Sequence, residues 1–184
     1  MKNQPKETTV QAETRIRDAT ASDVDPIAEL YRAVGRAGGG LARTPEEVTI
    51  AYVSDFVEAA RHGGVDLVAE TSDGTIAGEI HAYPIGPAAL AHVLGQLTVA
   101  VHPDWQGRGV GRALFRALLD RVERDFPHVV RVELKARETN SRAIGMYESL
   151  GFQKEGRMVN RVRLGDGSLD ADIPMAWHRP GSPA

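Results

Sequence analysis

One stretch constrains this chain more than any other: Val99-Ala100-Val101-His102-Pro103-Asp104-Trp105-Gln106-Gly107-Arg108-Gly109-Val110-Gly111-Arg112. Val93 to Val101 alternates and then becomes continuously apolar, as a well-buried strand does, and Pro103 closes it. Beyond the glycines, Leu114, Leu118, Val122 and Phe126 recur at helical spacing until Pro127 stops the helix. A buried strand therefore passes through a glycine-rich turn straight into a helix. Glycines let backbone N–H groups converge on one concavity, and the helix dipole adds partial positive charge at the same spot. Arg108 and Arg112 supply full charges nearby. A diphosphate suits such a turn, and a tight ligand-free connection is the plainer alternative. No Gly-Lys-Ser/Thr follows, and glycines at 107, 109 and 111 lack dinucleotide spacing, so two familiar nucleotide motifs are excluded.

The elements around this turn follow from patterning. Thr20 and Asp23 form a capping-box pair before Val24, Ile27, Leu30, Tyr31 and Val34, which predicts a first helix ending before the glycines at 38–40. Thr44-Pro45-Glu46-Glu47 predicts the start of a second, reaching about Arg61. Val65 to Glu70 and Thr75 to Tyr83, around Ser72-Asp73-Gly74, read as a hairpin. Val129 to Ala136 is a further strand, Asn140 to Leu150 a short helix stopped by Gly151, and two strands joined by Gly165-Asp166-Gly167 complete the domain. Helices alternate with strands early and hairpins follow. The class is therefore mixed α/β (α+β), a central, partly antiparallel sheet of about seven strands flanked by about four helices. Residues 14–178 are expected to be one domain, with disordered tails at 1–13 and 179–184.

Composition excludes several functions. The chain has 184 residues and no cysteine, which removes disulfides, thiolate metal sites and a cysteine nucleophile together. The histidines show no metal-ligand spacing, and no metal is expected. A polar beginning and the lack of a long apolar run predict a cytoplasmic protein without membrane association. The net charge of −3 is divided unevenly. Residues 101–165 carry 13 Lys+Arg against 8 Asp+Glu, and the remainder 9 against 17. A basic half suits an anionic ligand and an acidic half a cationic one, while the overall negative charge argues against nucleic acid.

Gln106-x-x-Gly109-x-Gly111 after a Val-x-Val-His-Pro strand resembles the acetyl-coenzyme A motif of the GNAT superfamily of N-acetyltransferases. Asn140-Ser141-Arg142-Ala143-Ile144-Gly145-Met146-Tyr147-Glu148-Ser149-Leu150-Gly151-Phe152 is similar to that family's second element, Asn-x-x-Ala-x-x-x-Tyr-x-x-x-Gly-Phe, in the expected order. The resemblance spans about Thr14 to Trp177 and implies a GNAT-like sheet, with acetyl-coenzyme A as cosubstrate. It implies that the backbone of Gln106, Gly107, Arg108, Gly109, Val110, Gly111 and Arg112 binds the diphosphate. The backbone of Leu97, Val99 and Val101 would pair with the pantetheine arm, with Asn140 and Arg142 close by. Asn140 also reads as a helix N-cap. Tyr147, seven residues on and two turns along one helix face, is implied as the general acid that protonates the leaving thiolate.

The amine side is less defined. An ammonium must lose a proton before it attacks. Glu79 is the base candidate, with His81 on the same strand face, His92 before the central strand, and a water relay as alternatives. Gln96 stands where related enzymes sometimes carry Glu, and an amide is no base. Val159 to Met175 resembles the closing hairpin of relatives that acetylate small amines. The acceptor is read as a small-molecule primary amine, with a protein N-terminus or lysine, or a non-catalytic coenzyme A-binding module, as alternatives. Family members occur as monomers and dimers, and a homodimer is the expectation carried here.

Overall fold

The computed structural model describes residues 14–38 and 40–181. The tail expected at 1–13 and residues 182–184 lie outside them. Among the described residues eight strands form one sheet: β1 (Thr14–Asp18), β2 (Val65–Thr71), β3 (Ile76–Pro84), β4 (Val93–Val101), β5 (Arg131–Arg137), β6 (Gln153–Lys154), β7 (Met158–Arg163) and β8 (Leu169–His178). Their order is β1-β2-β3-β4-β5-β8-β6, with β7 also pairing β8. Every pairing is antiparallel except β4 with β5. The two-residue β6 had no signature in the sequence, since a piece that short displays no periodicity.

Helices cover the two faces unequally. On one face α1 (Val24–Arg36) and α2 (Ile50–Arg61) pack Ile27, Tyr31, Val53 and Phe56 onto Val68, Ile76 and Ala100. On the other, α3 (Val110–Asp125) and α4 (Ser141–Ser149) bury Leu114, Phe115, Leu118 and Ile144 against strand residues such as Leu67, Ile80 and Leu134. The strands alternate accordingly: Glu79 and Ala100 face α1 and α2, while Ile80, Val99 and Val101 face α3.

Two local expectations change. The capping boxes at Thr20 and Thr44 both form, but each closes a single 3-10 turn, at Ala21–Asp23 and Pro45–Glu47. The first runs directly into α1. The second does not continue, because Val48 is buried and its carbonyl accepts two hydrogen bonds from the Arg32 guanidinium, 3.1 and 2.8 Å. The Thr49 hydroxyl, accepting from the Tyr52 N–H at 3.1 Å, caps α2 instead.

Arg179, assigned by sequence to the C-terminal tail, is fastened to the domain. Its guanidinium donates to the carbonyls of Val129, Glu123, Val122 and Phe126 at 2.7 to 3.2 Å, gathering the carbonyls at and just beyond the end of α3, of which Val122 and Phe126 also accept backbone N–H groups. Arg179→Ala should lower stability by about 2 kcal/mol, since hydrogen bonds from a charged donor are lost. Chemical denaturation would measure this, and coenzyme A affinity should not change.

Candidate active site

The site begins where the sheet opens. Strands β4 and β5 are parallel neighbours yet pair only at Val93 with Arg131 and Leu94 with Val132. Immediately afterwards Gln96 takes a left-handed backbone conformation, φ 53°, and the β3–β4 register shifts. From there the strands diverge into a cleft of about 1000 Å³ lined by Leu97, Val99, Val101, Gln106, Gly107, Gly109, Val110, Gly111, Arg112, Asn140, Arg142 and Tyr147. The His102 N–H bonds the Ala77 carbonyl on the β3 side. By alternation Ala100 and Thr98 also address β3, so Val99, Val101 and Leu97 turn their peptide groups to the gap. The Val101 carbonyl there accepts from the Gln106 side-chain amide at 3.1 Å.

At the end of β4 the chain enters the turn. Gly107 and Gly109 have φ of 76° and 85°, conformations that residues bearing a Cβ adopt only at a cost. Gly109 is the N-cap of α3 and offers no side chain to cap it. Among the described residues, no acceptor takes the N–H groups of Gly107, Gly109, Val110, Gly111 or Arg112. Converging N–H groups at a helix N-terminus favour an anion. Arg112 lines the cleft, and Arg142 Nη2 lies 3.7 Å from the place a Cβ on Gly107 would occupy, so the second motif brings a guanidinium to the first. Arg108 is not among the lining residues; its guanidinium sits 5.0 Å over the Trp105 ring. Gly109→Val should weaken coenzyme A binding at least tenfold, because both the left-handed turn and the convergence of amides are lost. Calorimetry with coenzyme A, alongside a thermal unfolding curve to show the variant is folded, would measure it.

Asn140 accepts the Ala143 N–H at 3.2 Å and so caps α4. One face of that helix carries Tyr147, whose ring packs 5.0 Å from Phe115 and 6.2 Å from Phe152. Burial of this ring pushes the phenol up to about 12. The hydroxyl has no hydrogen-bond partner among the described residues, and it borders the cleft. It is therefore a protonated donor at neutral pH, available to whatever enters.

Glu79 is placed elsewhere, and this corrects the expectation that it serves as the base. It is fully buried under α1 and is not a lining residue of the cleft. Its Oε2 accepts from the Tyr31 hydroxyl at 2.6 Å, and its Oε1 lies 2.9 Å from His81 Nδ1. His81 is stacked between Phe56 and Tyr83, with ring centroids 4.0 and 5.8 Å away. Asp66, buried nearby, has no hydrogen-bond partner for either carboxylate oxygen among the described residues. Burial raises Glu79 to about 8 and, with the Glu79 charge adding to it, Asp66 to about 9; burial lowers His81 to about 4. The cluster is thus mainly neutral at pH 7. A carboxyl whose folded pKa lies above its unfolded one binds a proton that the unfolded chain releases, so its stabilising contribution declines as pH rises towards the folded value. Stability should therefore fall between about pH 5 and 9, by up to about 1.4 kcal/mol per unit for each such group, with His81, lowered from 6.5 by burial, offsetting one carboxyl in the acid part of that range. Asp66→Asn should flatten that slope, as denaturation at several pH values would record.

The structure adds lining residues that the sequence reading missed. Arg131, Glu133, Lys135 and Arg137 line the cleft from alternate positions of β5. The signal was present: four charged residues at a spacing of two mark a strand face that no helix covers. Arg137 Nη2 bonds the Leu41 carbonyl at 2.6 Å and so ties the α1–α2 loop to the cleft's edge. His92 and Glu79 are not lining residues, whereas Gln96 is. Among the described residues, no group of three or more His, Cys, Asp or Glu could hold a metal ion.

A splayed sheet with an amide-lined turn at one end and a free phenol beside it defines a site for an extended, anion-bearing ligand. Residues 28–152 match the model of the acetyltransferase (GNAT) family, and the chain belongs to that family. It is 30% identical to L-methionine sulfoximine/L-methionine sulfone acetyltransferase of Pseudomonas paraeruginosa over 78% of this chain and 82% of that one. It is 41% identical to the [ribosomal protein bS18]-alanine N-acetyltransferase of Escherichia coli K12, over 41% of this chain and 49% of that one. The chain thus spans about half the length of several curated relatives it matches. A GCN5-related N-acetyltransferase from Kribbella flavida superposes with a TM-score of 0.75 at 26% identity, over 91% of this chain and 99% of that one. The fold is also that of yncA from Salmonella typhimurium, solved with acetyl-CoA, with a TM-score of 0.79 at 22% identity over 93% and 98% of the two chains.

Proposed function

We propose that this protein transfers the acetyl group of acetyl-coenzyme A to the primary amine of a small molecule, by direct attack with both substrates bound. The observation that carries the reading is the Tyr147 hydroxyl, without a hydrogen-bond partner among the described residues, at the wall of a cleft that ends in a glycine turn where the N–H groups of Gly107, Gly109, Val110, Gly111 and Arg112 have no acceptor among those residues. Those amides, with Arg112 and Arg142, suit the diphosphate of the cosubstrate, and the open edge of β4 at Leu97, Val99 and Val101 suits the amides of its arm. The bound thioester supplies an electrophilic carbonyl and a thiolate leaving group. Tyr147 donates a proton to the departing sulfur, and burial keeps that proton in place well beyond neutral pH. Glu79 lies sealed under Tyr31, so we assign the ammonium proton to water in the cleft. The reading carries with it a cytoplasmic protein whose working unit is residues 14–178 with Arg179 fastened to them, and a homodimer as its assembly.

Acetylation of a protein N-terminal alanine is the second reading, favoured by the local match to the bS18 enzyme. Free-thiol release from acetyl-coenzyme A across a panel of amines and alanine-terminated peptides separates the two. Tyr147→Phe should lower turnover at least tenfold on the preferred acceptor while coenzyme A still binds. Unchanged turnover would remove Tyr147 from the chemistry, and binding without turnover on any amine would favour a non-catalytic module.

A further inference from the structure

Strand β5 carries three cations on the face that the helices leave open, and two of them are committed. Arg131 is neutralised by Glu133 at 2.6 Å and by a bidentate pairing with Glu155. Arg137 is spent on the Leu41 carbonyl. Lys135, between them, is exposed, lines the cleft, and has neither an ion pair nor a hydrogen bond among the described residues. Its cross-strand partner on β8 is Pro174, which offers no side-chain acceptor. Of the carboxylates that register places beside it, Glu133, two residues back on the same face, pairs with Arg131 at 2.6 Å, and Asp172, diagonal on β8, stands 4.0 Å from Arg161 Nε. Arg112 and Arg142 belong to the turn at the other end of the cleft.

The lining of the cleft around Lys135 mixes charges that already have partners, Glu133, Arg137 and Asp172, with apolar groups. Val34, Leu41, Ile85, Val162 and Pro174 contribute to the same cleft. A ligand that fills this part displaces water from the ammonium, which then needs a negative partner to recover its solvation. We propose that the acceptor carries a free carboxylate beside its amine and that Lys135 holds that carboxylate, making Lys135 the residue that sets acceptor specificity. This rests on the transferase reading given above. The acceptor class that fits is an amino acid with an apolar side chain. A peptide N-terminus presents a neutral amide where the free amino acid presents a carboxylate, so Lys135 selects against it.

The test compares L-alanine, L-leucine, L-methionine and L-phenylalanine with their amides, by thiol release from acetyl-coenzyme A, in the wild type, Lys135→Met and Lys135→Arg. The wild type should favour acids over amides at least tenfold in kcat/KM. Lys135→Met should lose about tenfold on the acids, mainly through KM, and less than twofold on the amides. Lys135→Arg should retain most activity on the acids, and the KM for acetyl-coenzyme A should hold throughout. Amides turned over as well as acids, or an equal loss on both in Lys135→Met, would overturn the proposal while leaving the transferase intact. No turnover on any of these amines by the wild type would also overturn it, and the wider amine panel then decides the transferase reading separately.

Discussion

Strands β4 and β5 run side by side, yet only Val93 with Arg131 and Leu94 with Val132 pair before the ladder stops. A sheet interior that abandons its hydrogen bonds leaves backbone donors and acceptors to be satisfied by something else. Here the loss is confined to one side of each strand, because β4 keeps its ladder to β3 and β5 keeps seven paired positions with β8. The opening is therefore rigid on both flanks. The glycine turn lies at the end of β4 and the α4 cap follows β5, so the same divergence brings Gly107 and Arg142 together. Neither motif would form a site without the gap between their strands.

The two faces of the sheet divide the ionisable groups. On the α1–α2 face, Asp66, Glu79, His81 and Tyr31 are sealed inside an apolar and aromatic shell where burial disfavours charge. On the α3–α4 side, Tyr147 buries its ring and leaves its hydroxyl at the cleft. The difference lies in what covers each group. α1 and α2 lie over β2, β3 and β4, whereas among the described residues no helix lies over the outward face of β5, which is why its charged residues reach water and the cleft.

Much of this was legible in the sequence, and the exceptions are instructive. The span of β4 and the turn into α3 followed from an apolar run, a proline and three glycines, all local signals. Asn140 as a cap was likewise local. Glu79 was misread because period-two alternation says which residues share a face but not which helix covers that face. Burial of a carboxylate under Tyr31 depends on a contact 48 residues apart, and no window of the sequence contains it. Arg179 was assigned to a tail for the same reason, since the carbonyls it satisfies are 50 to 57 residues away. The second helix start failed differently: two valid caps, Thr44 and Thr49, lie close together, and the burial of Val48 decides between them.

In the proposed function, backbone groups of the open β4 edge and of the glycine turn hold the cosubstrate. Amide hydrogen exchange read residue by residue, with and without saturating coenzyme A, measures those groups themselves. Exchange should slow at residues 97–101 and 107–112 when coenzyme A is bound, with little change in β1 and β2. Protection confined to another part of the surface, with those two segments unaltered, would contradict it.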